Sequence, residues 1–320
     1  MDRILVIRFS SIGDIVLCSP IVRAIKKQLD CEIYFLTKKQ FSPLVKHNPY
    51  ITSVIEFDEN LSEVVEQINS LNIDLIIDLH NNLRSNRLTA SLKIPSYAYS
   101  KRSFDRWLLT NLKWDRLSGE HIVERYFKAV KNIGVSPDNM GLEVHLPQNF
   151  QTEYDLPEAY HVYVIGTAHA TKNIPSDLYI QLAKAHETPI VLLGGREHEE
   201  QAQQIANALK HSINLTGKTS LLEACHIINK ADFIIGPDTG LSHIAAAFQK
   251  KQLMVFGSTH SKLGFTPYKN PNARIFEHQS LGCRPCTKQG KSSCPNGHFK
   301  CMLDLNPQEL IETYTELIEN

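Results

Sequence analysis

Arg3-Ile4-Leu5-Val6-Ile7-Arg8-Phe9-Ser10-Ser11-Ile12-Gly13-Asp14 passes from an unbroken apolar run into a small polar loop within a few residues. A strand apolar at consecutive positions is buried on both faces, which is the mark of a parallel sheet covered by helices. Further short β-branched runs follow at Glu32 to Thr37, Val54 to Asp58 and Asp74 to Leu79. Between the last two, Ser62 to Leu71 sets Val64, Val65, Ile68 and Leu71 on one face at helical spacing. The alternation predicts right-handed βαβ units and a doubly wound α/β fold.

The pattern breaks in a polar stretch from Ser136 to Pro157, punctuated by Pro137, Pro147 and Pro157, where a linker is expected. It then restarts with apolar runs at His161 to Gly166, Pro189 to Gly194, Phe233 to Gly236 and Leu253 to Gly257. Helical segments are expected at Ser176 to Glu187, Glu197 to Lys210 and Ser220 to Lys230, with a last helix from Pro307. Two Rossmann-like halves with a cleft between them follow, residues 1–150 and 151–306.

The length of 320 residues suits two such domains. Lys plus Arg and Asp plus Glu both number 34, so no global field draws the chain to nucleic acid or an anionic membrane. The N-terminus shows only a short apolar run, and no stretch approaches the roughly 18 apolar residues of a spanning helix. A cytoplasmic protein is expected, and the odd count of seven cysteines fits a reducing compartment.

Chemistry concentrates where strands end. Ser10, Ser11, Gly13 and Asp14 follow the first strand, at the carboxyl edge where open α/β folds build their sites. Asp14 alone would equally serve as a helix cap. Pro237-Asp238-Thr239-Gly240-Leu241-Ser242-His243 joins an apolar strand to a helix of small residues, whose first N–H groups form an anion site with the helix dipole. Lys172 ends a polar loop after the strand at His161, and Glu199 stands early in the helix after Gly194-Gly195. Gly217-Lys218-Thr219 imitates the end of a P-loop, but Ser212 replaces its first glycine, and there is no G-x-G-x-x-G and no D-x-D. Phosphate neutralisation without a metal is the expected design. Cys283, Cys286, Cys294 and Cys301 have a spacing that could close a tetrahedral structural zinc, a disulfide or neither.

Together these motifs resemble glycosyltransferase family 9, the ADP-heptose:lipopolysaccharide heptosyltransferase family. The resemblance is carried in order by Arg8 to Val16, Lys172 with Pro175, Asn214 to Leu221, Gly236 to His243, and Cys283-Arg284-Pro285-Cys286 with Cys301-Met302. It implies the GT-B architecture, with the acceptor bound by the first domain, the sugar nucleotide by the second, and a final helix at about 307–320 returning to the first. It also implies inverting, metal-independent transfer with no cofactor required, in line with the lack of two glutamates eight apart. On that likeness Asp14 is the general base, and Lys172 with the N–H groups of Thr239, Gly240 and Leu241 meets the charge of the leaving nucleotide. Asp238 and His243 are further donor-site residues, and Glu199 is the candidate ribose contact. Ser10, Ser11, Gly13, His80 and Arg84 are expected near a lipid-linked saccharide acceptor, which would bring the enzyme to the cytoplasmic face of the inner membrane as a peripheral protein. The competing readings are a GT-B-like sugar-nucleotide epimerase, which needs an acid/base pair, and a non-catalytic nucleotide-sugar-binding protein.

Overall fold

The apolar runs form strands as expected. β1 (Arg3–Ile7), β2 (Glu32–Lys38), β3 (Ser53–Phe57) and β4 (Leu75–Asp78) build a parallel sheet with a short fifth strand, β5 (Ser96–Ala98), in the order β3-β2-β1-β4-β5. The second sheet holds β6 (His161–Ile165), β7 (Ile190–Gly194), β8 (Ser212–Asn214), β9 (Phe233–Pro237), β10 (Lys251–Phe256) and β11 (Ala273–Glu277). Its order is β11-β10-β9-β6-β7-β8, again all parallel. In this computed structural model, which describes residues 1–319, the chain divides into two units. One comprises Met1–Arg102 and His121–Gln148, the other Ser103–Glu120 and the chain from Asn149 onward.

Both sheets have the same winding. The chain steps outward from the first strand of each unit in one direction, then returns beside it and steps outward in the other. With right-handed crossovers the two halves of each sheet must carry their helices on opposite faces. The connections leaving β1 and β4 in one unit, and β6 and β9 in the other, therefore diverge, and a crevice opens at the carboxyl ends of those strand pairs.

In the first unit, Leu5, Ile7, Phe9, Leu36, Ile55, Ile68, Ile76 and Leu88 pack into one core against helices Leu61–Ser70 and Leu83–Leu92. Asn60 caps the former through the Ser62 N–H, and Asn82 caps the latter in a capping box with Ser85. The Pro-punctuated stretch after Ser136 is not a free linker at its start. Arg23, wholly buried, donates to Asp138 at 2.6 Å and to the Gly141 carbonyl at 3.0 Å, and pairs with Glu143 at 2.9 Å. A buried guanidinium needs such partners, so residues 138–143 are tied to this unit.

In the second unit, the helix Pro307–Glu319 packs on its own sheet, where the family likeness had implied a return to the first unit. Leu310, Tyr314 and Leu317 enter the core formed by Tyr163, Ile190, Phe233 and Leu253. Tyr314 stacks on His186 at 4.8 Å and meets Phe233 edge-on at 5.0 Å. The apolar stripe of the helix has its partner there, which accounts for its place. Asn320, the last residue of the expected helix, lies outside the described residues.

His161 sits within that aromatic cluster, buried, its ring 4.8 Å from His186 and 5.3 Å from Phe233. Burial, with the neighbouring His186 adding to it, pushes its pKa down to about 3. The folded chain thus keeps His161 neutral, whereas the unfolded chain protonates it below about pH 6.5. Its contribution to stability is full above that pH and is lost as pH falls toward the folded value, at up to about 1.4 kcal/mol per pH unit. Thermal melting between pH 6.5 and 4.5 should show this slope, and His161→Phe, which takes no proton, should flatten it; an unchanged slope would exclude His161 as its source.

Candidate functional site

Each unit gathers polar groups at its own crevice. In the first, β1 ends at Ile7 and the next side chain is Arg8, buried by the walls around it. Its guanidinium donates to the Ser10 carbonyl at 2.7 Å, to the Leu79 carbonyl, and to the Tyr126 hydroxyl at 3.1 Å. It also pairs with the Asp14 carboxylate at 2.8 Å. Burial opposes the charge on Arg8 more than any single neighbour favours it, but Asp14 together with Tyr126, Cys18 and Tyr99 outweighs it, and the arginine is held protonated, above its ordinary range. Asp14 lies in the first turn of the short helix Ile12–Val16, where its other oxygen accepts from the Ser11 hydroxyl at 2.9 Å and the Ser11 N–H at 3.3 Å. Capping and function are therefore not alternatives here. The carboxylate closes the capping box and keeps a partly exposed edge, its side chain 23 % accessible.

β4 contributes the facing loop. Asp78, fully buried at the end of that strand, accepts from the His80 N–H at 2.8 Å and the Asn81 N–H at 2.7 Å, which fixes the turn. The His80 ring lies 4.8 Å from Phe9. Burial, then the positive charges of Arg8, Lys101 and Arg84, push its pKa down to about 3, with Asp14 opposing them. His80 is thus a neutral imidazole within the electrostatic reach of Asp14, and its buried Nδ1 makes no hydrogen bond. Arg84 lines a neighbouring cavity of about 670 Å³ with Arg87 and the apolar Leu61, Val65, Leu83 and Leu88. The structure so brings Ser10, Ser11, Gly13, Asp14 and His80 to one strand-pair edge, with Arg84 one helix turn further on.

In the second unit, the loop after β6 carries Lys172 and the loop after β9 carries Asp238. Their charged atoms meet at 3.1 Å, with both side chains only 12 % accessible. Thr259 donates to the same Asp238 oxygen at 3.2 Å, and His243 stands 3.9 Å from the other. Asp238 immediately precedes Thr239, the N-cap of helix Gly240–Ala247, and the Thr239 side chain does not cap that helix. The first-turn N–H groups are left to an incoming anion. Gly236 admits this turn, since a Cβ there would stand 2.7 Å from Val164 and 3.0 Å from the Ser242 hydroxyl. Lys172, Asp238, Thr239, Gly240, Leu241 and His243 are thus one cluster. Glu199 is not in it: it stands after β7, pairs with Arg196 at 3.8 Å, and faces Gly217.

The cysteine-rich loop is the frame of the lysine loop. Thr171 exchanges backbone and hydroxyl bonds with Lys291 at 2.8 to 3.1 Å, and Ser258 donates to the Thr171 hydroxyl at 2.8 Å. Gly290 packs directly on His169 and Lys172, where a side chain would collide. The four cysteines lie within electrostatic reach of one another and form no disulfide. All are free thiols, and no group of three or more His, Cys, Asp or Glu among the described residues could hold a metal ion. Cys301 is taken into the core beside Met302, and the Cys286 backbone is tied to Ser258. Arg8 in the first crevice and Thr259 in the second were not singled out from the sequence as site residues. The signal for Arg8 was an arginine directly after a strand buried on both faces.

Cys294 differs from the other cysteines. Burial raises its pKa, but the backbone N–H groups of Phe299, Asn296, His298 and Gly297 turn toward the sulfur and bring it below the ordinary thiol range. Burial pushes Cys286 up and Cys301 up to about 12. Iodoacetamide at neutral pH should therefore modify Cys294 ahead of Cys286 and Cys301, read by peptide mass mapping; first labelling at either of those would contradict the assignment.

The family model described as glycosyltransferase family 9 (heptosyltransferase) matches residues 62–296. Lipooligosaccharide heptosyltransferase 2 of Campylobacter jejuni serotype O:2 is 26% identical, over 97% of this chain and 96% of that protein. The crystal structure of a family 9 glycosyl transferase from Veillonella parvula superposes with a TM-score of 0.80 at 20% identity, covering 100% of this chain and 98% of the other. The E. coli ADP-heptose lps heptosyltransferase II does so with a TM-score of 0.76 at 21% identity, covering 100% and 99%. Both likenesses show the fold, two parallel-sheet α/β units of the GT-B type.

Proposed function

The chain belongs to glycosyltransferase family 9 (heptosyltransferase), and we propose that it transfers a heptose from an ADP-sugar to a hydroxyl of a lipopolysaccharide core acceptor, with inversion and without a catalytic metal. The family and the lipooligosaccharide heptosyltransferase to which it is similar support the heptose and the core acceptor. The named ADP-heptose enzyme of similar fold supports the donor. The observation that carries the reading is the Lys172–Asp238 pair at the mouth of helix Gly240–Ala247. It combines a cation, a helix dipole and oriented N–H groups, which is what a nucleoside diphosphate leaving group requires.

Asp14 accepts the proton of the acceptor hydroxyl as its oxygen attacks the anomeric carbon. The bond between that carbon and the diphosphate oxygen breaks on the opposite face of the sugar, which inverts the centre. The charge that develops on the departing ADP is met by the Lys172 ammonium and by the N–H groups of Thr239, Gly240 and Leu241. Asp238 holds Lys172 in place before the donor binds, and Thr259 holds Asp238. Arg8 is a positioning residue: its guanidinium is satisfied by two carbonyls and Tyr126, so it fixes the Asp14 carboxylate without moving. His80, neutral, offers the acceptor a hydrogen bond with no charge to desolvate. Glu199 is retained as the ribose contact, and Ser10, Ser11, Gly13 and Arg84 as acceptor contacts. No helix among the described residues is long and apolar enough to cross a membrane, and work on a lipid-linked acceptor at the cytoplasmic face of the inner membrane calls for peripheral contact.

Asp14→Asn should retain ADP-sugar binding by calorimetry while transfer, read by mass spectrometry of the acceptor, falls at least about 100-fold; retained turnover would remove Asp14 as the base. Lys172→Ala should weaken ADP-sugar binding at least about tenfold, because the Asp238 carboxylate is then left facing the phosphates. Equal affinity would make the lysine peripheral. Arg8→Lys, which cannot reproduce the guanidinium fork, should lower kcat and leave the donor KM unchanged; a changed donor KM with normal kcat would contradict its role.

A further inference from the structure

Both tryptophans of the chain face solvent. Trp107 is 45% and Trp114 59% accessible, with Phe104 at 64% and Leu112 at 59% close by in sequence. They stand on Ser103–Glu120, a segment that belongs to the second unit although its flanks belong to the first. Its opposite side is already used. Leu109 and Leu117 pack on Leu263 and Phe265, and the Lys113 ammonium donates to the carbonyls of Thr110, Cys283 and Pro285 at 2.8 to 2.9 Å. The segment is therefore pinned from below while its outward aromatics remain uncovered, with Phe104 stacked on Trp107 at 6.2 Å.

Cations surround these rings. Arg116 lies over Trp114 at 5.7 Å and pairs with Asp105 at 3.8 Å. Lys262 pairs with Asp115 at 3.7 Å, and Lys288 reaches the Ser103 carbonyl at 3.3 Å. Burial, then the charge of Arg106, depresses the pKa of Lys288. Arg106, Lys113, Arg116, Lys262 and Lys288 thus stand on or against this segment, with Asp105 and Asp115 paired among them. Tryptophan and phenylalanine beside lysine and arginine match the interface of a bilayer, where rings sink to headgroup level and cations stay among phosphates.

We propose that the Phe104–Trp107–Leu112–Trp114 surface docks this protein on an anionic phospholipid bilayer. Its purpose rests on the lipid-linked acceptor read above, while the surface chemistry stands apart from it. A peripheral anchor of this kind needs apolar insertion and basic attraction together, since either alone is weak and reversible.

Because the chain has no other tryptophan, its intrinsic emission reports on this surface alone. The full chain, with neither donor nor acceptor, is titrated with vesicles of phosphatidylglycerol and phosphatidylcholine in equal parts, and with phosphatidylcholine alone. The expected result is a blue shift and co-sedimentation with the anionic vesicles only, both weakened by high salt. Phe104→Ser with Leu112→Ser keeps both tryptophans and changes only exposed side chains. It should lower vesicle partitioning at least about tenfold with an unchanged melting temperature and unchanged transfer to a delipidated acceptor. No shift on anionic vesicles, equal partitioning of the double variant, or a blue shift that follows protein concentration and dimerisation without lipid would each overturn the proposal. Loss of transfer with vesicle binding intact would count against the transferase reading and not against this surface.

Discussion

Divergence of the chain at the centre of each sheet is the constraint on which the chemistry depends. Both sheets are parallel and buried on both faces, so polar side chains have no place along the strands and are confined to their ends. At β1 and β4, and again at β6 and β9, neighbouring connections depart toward opposite faces. The opening left there exposes the first residues past the strands and the starts of the following helices. Arg8, Asp14 and His80 occupy one such opening, Lys172, Asp238 and the Thr239 N-cap the other.

Charge in these openings is arranged by burial. Arg8 has no water to satisfy it and so draws two carbonyls, a phenol and a carboxylate about itself. The result is a carboxylate on a fixed base, with its exposed edge toward solvent. In the second unit the carboxylate of Asp238, held by Thr259, pairs with an equally buried ammonium beside a helix N-terminus. On the proposed reading, one opening serves as the acceptor of a proton and the other meets negative charge. Electrostatic preorganisation of this sort contributes most when the groups need not move during the reaction.

The strands that sequence reading recovered are the interior ones and β3, whose side chains form continuous apolar runs. β5, β8 and β11 were missed, and all three are sheet edges. Ser96–Ala98 and Ser212–Asn214 are three residues long, and Ala273–Glu277 is half-buried to exposed, so none has a run to detect. The linker begins later than its prolines suggest because Arg23 captures Asp138 and Glu143, partners more than a hundred residues away. The final helix was misplaced for a related reason. Its apolar stripe was legible, but the cluster of His161, His186 and Phe233 that receives Tyr314 is assembled from separate strands and loops.

Local patterns by themselves determined the βαβ winding and the strand-to-helix loops from which the candidate site residues come. Apolar periodicity and strand-to-loop transitions are properties of neighbours in sequence, and the physics that reads them is local. Tertiary structure alone decided which groups pair: Arg8 with Asp14 and Tyr126, Lys172 with Asp238, and Glu199 with Arg196 apart from that cluster. It also decided that the four cysteines are gathered as free thiols and that both tryptophans remain outside the core. Pairing and exposure follow from desolvation, which depends on what the rest of the chain brings to a side chain from every direction, and no window of sequence contains that.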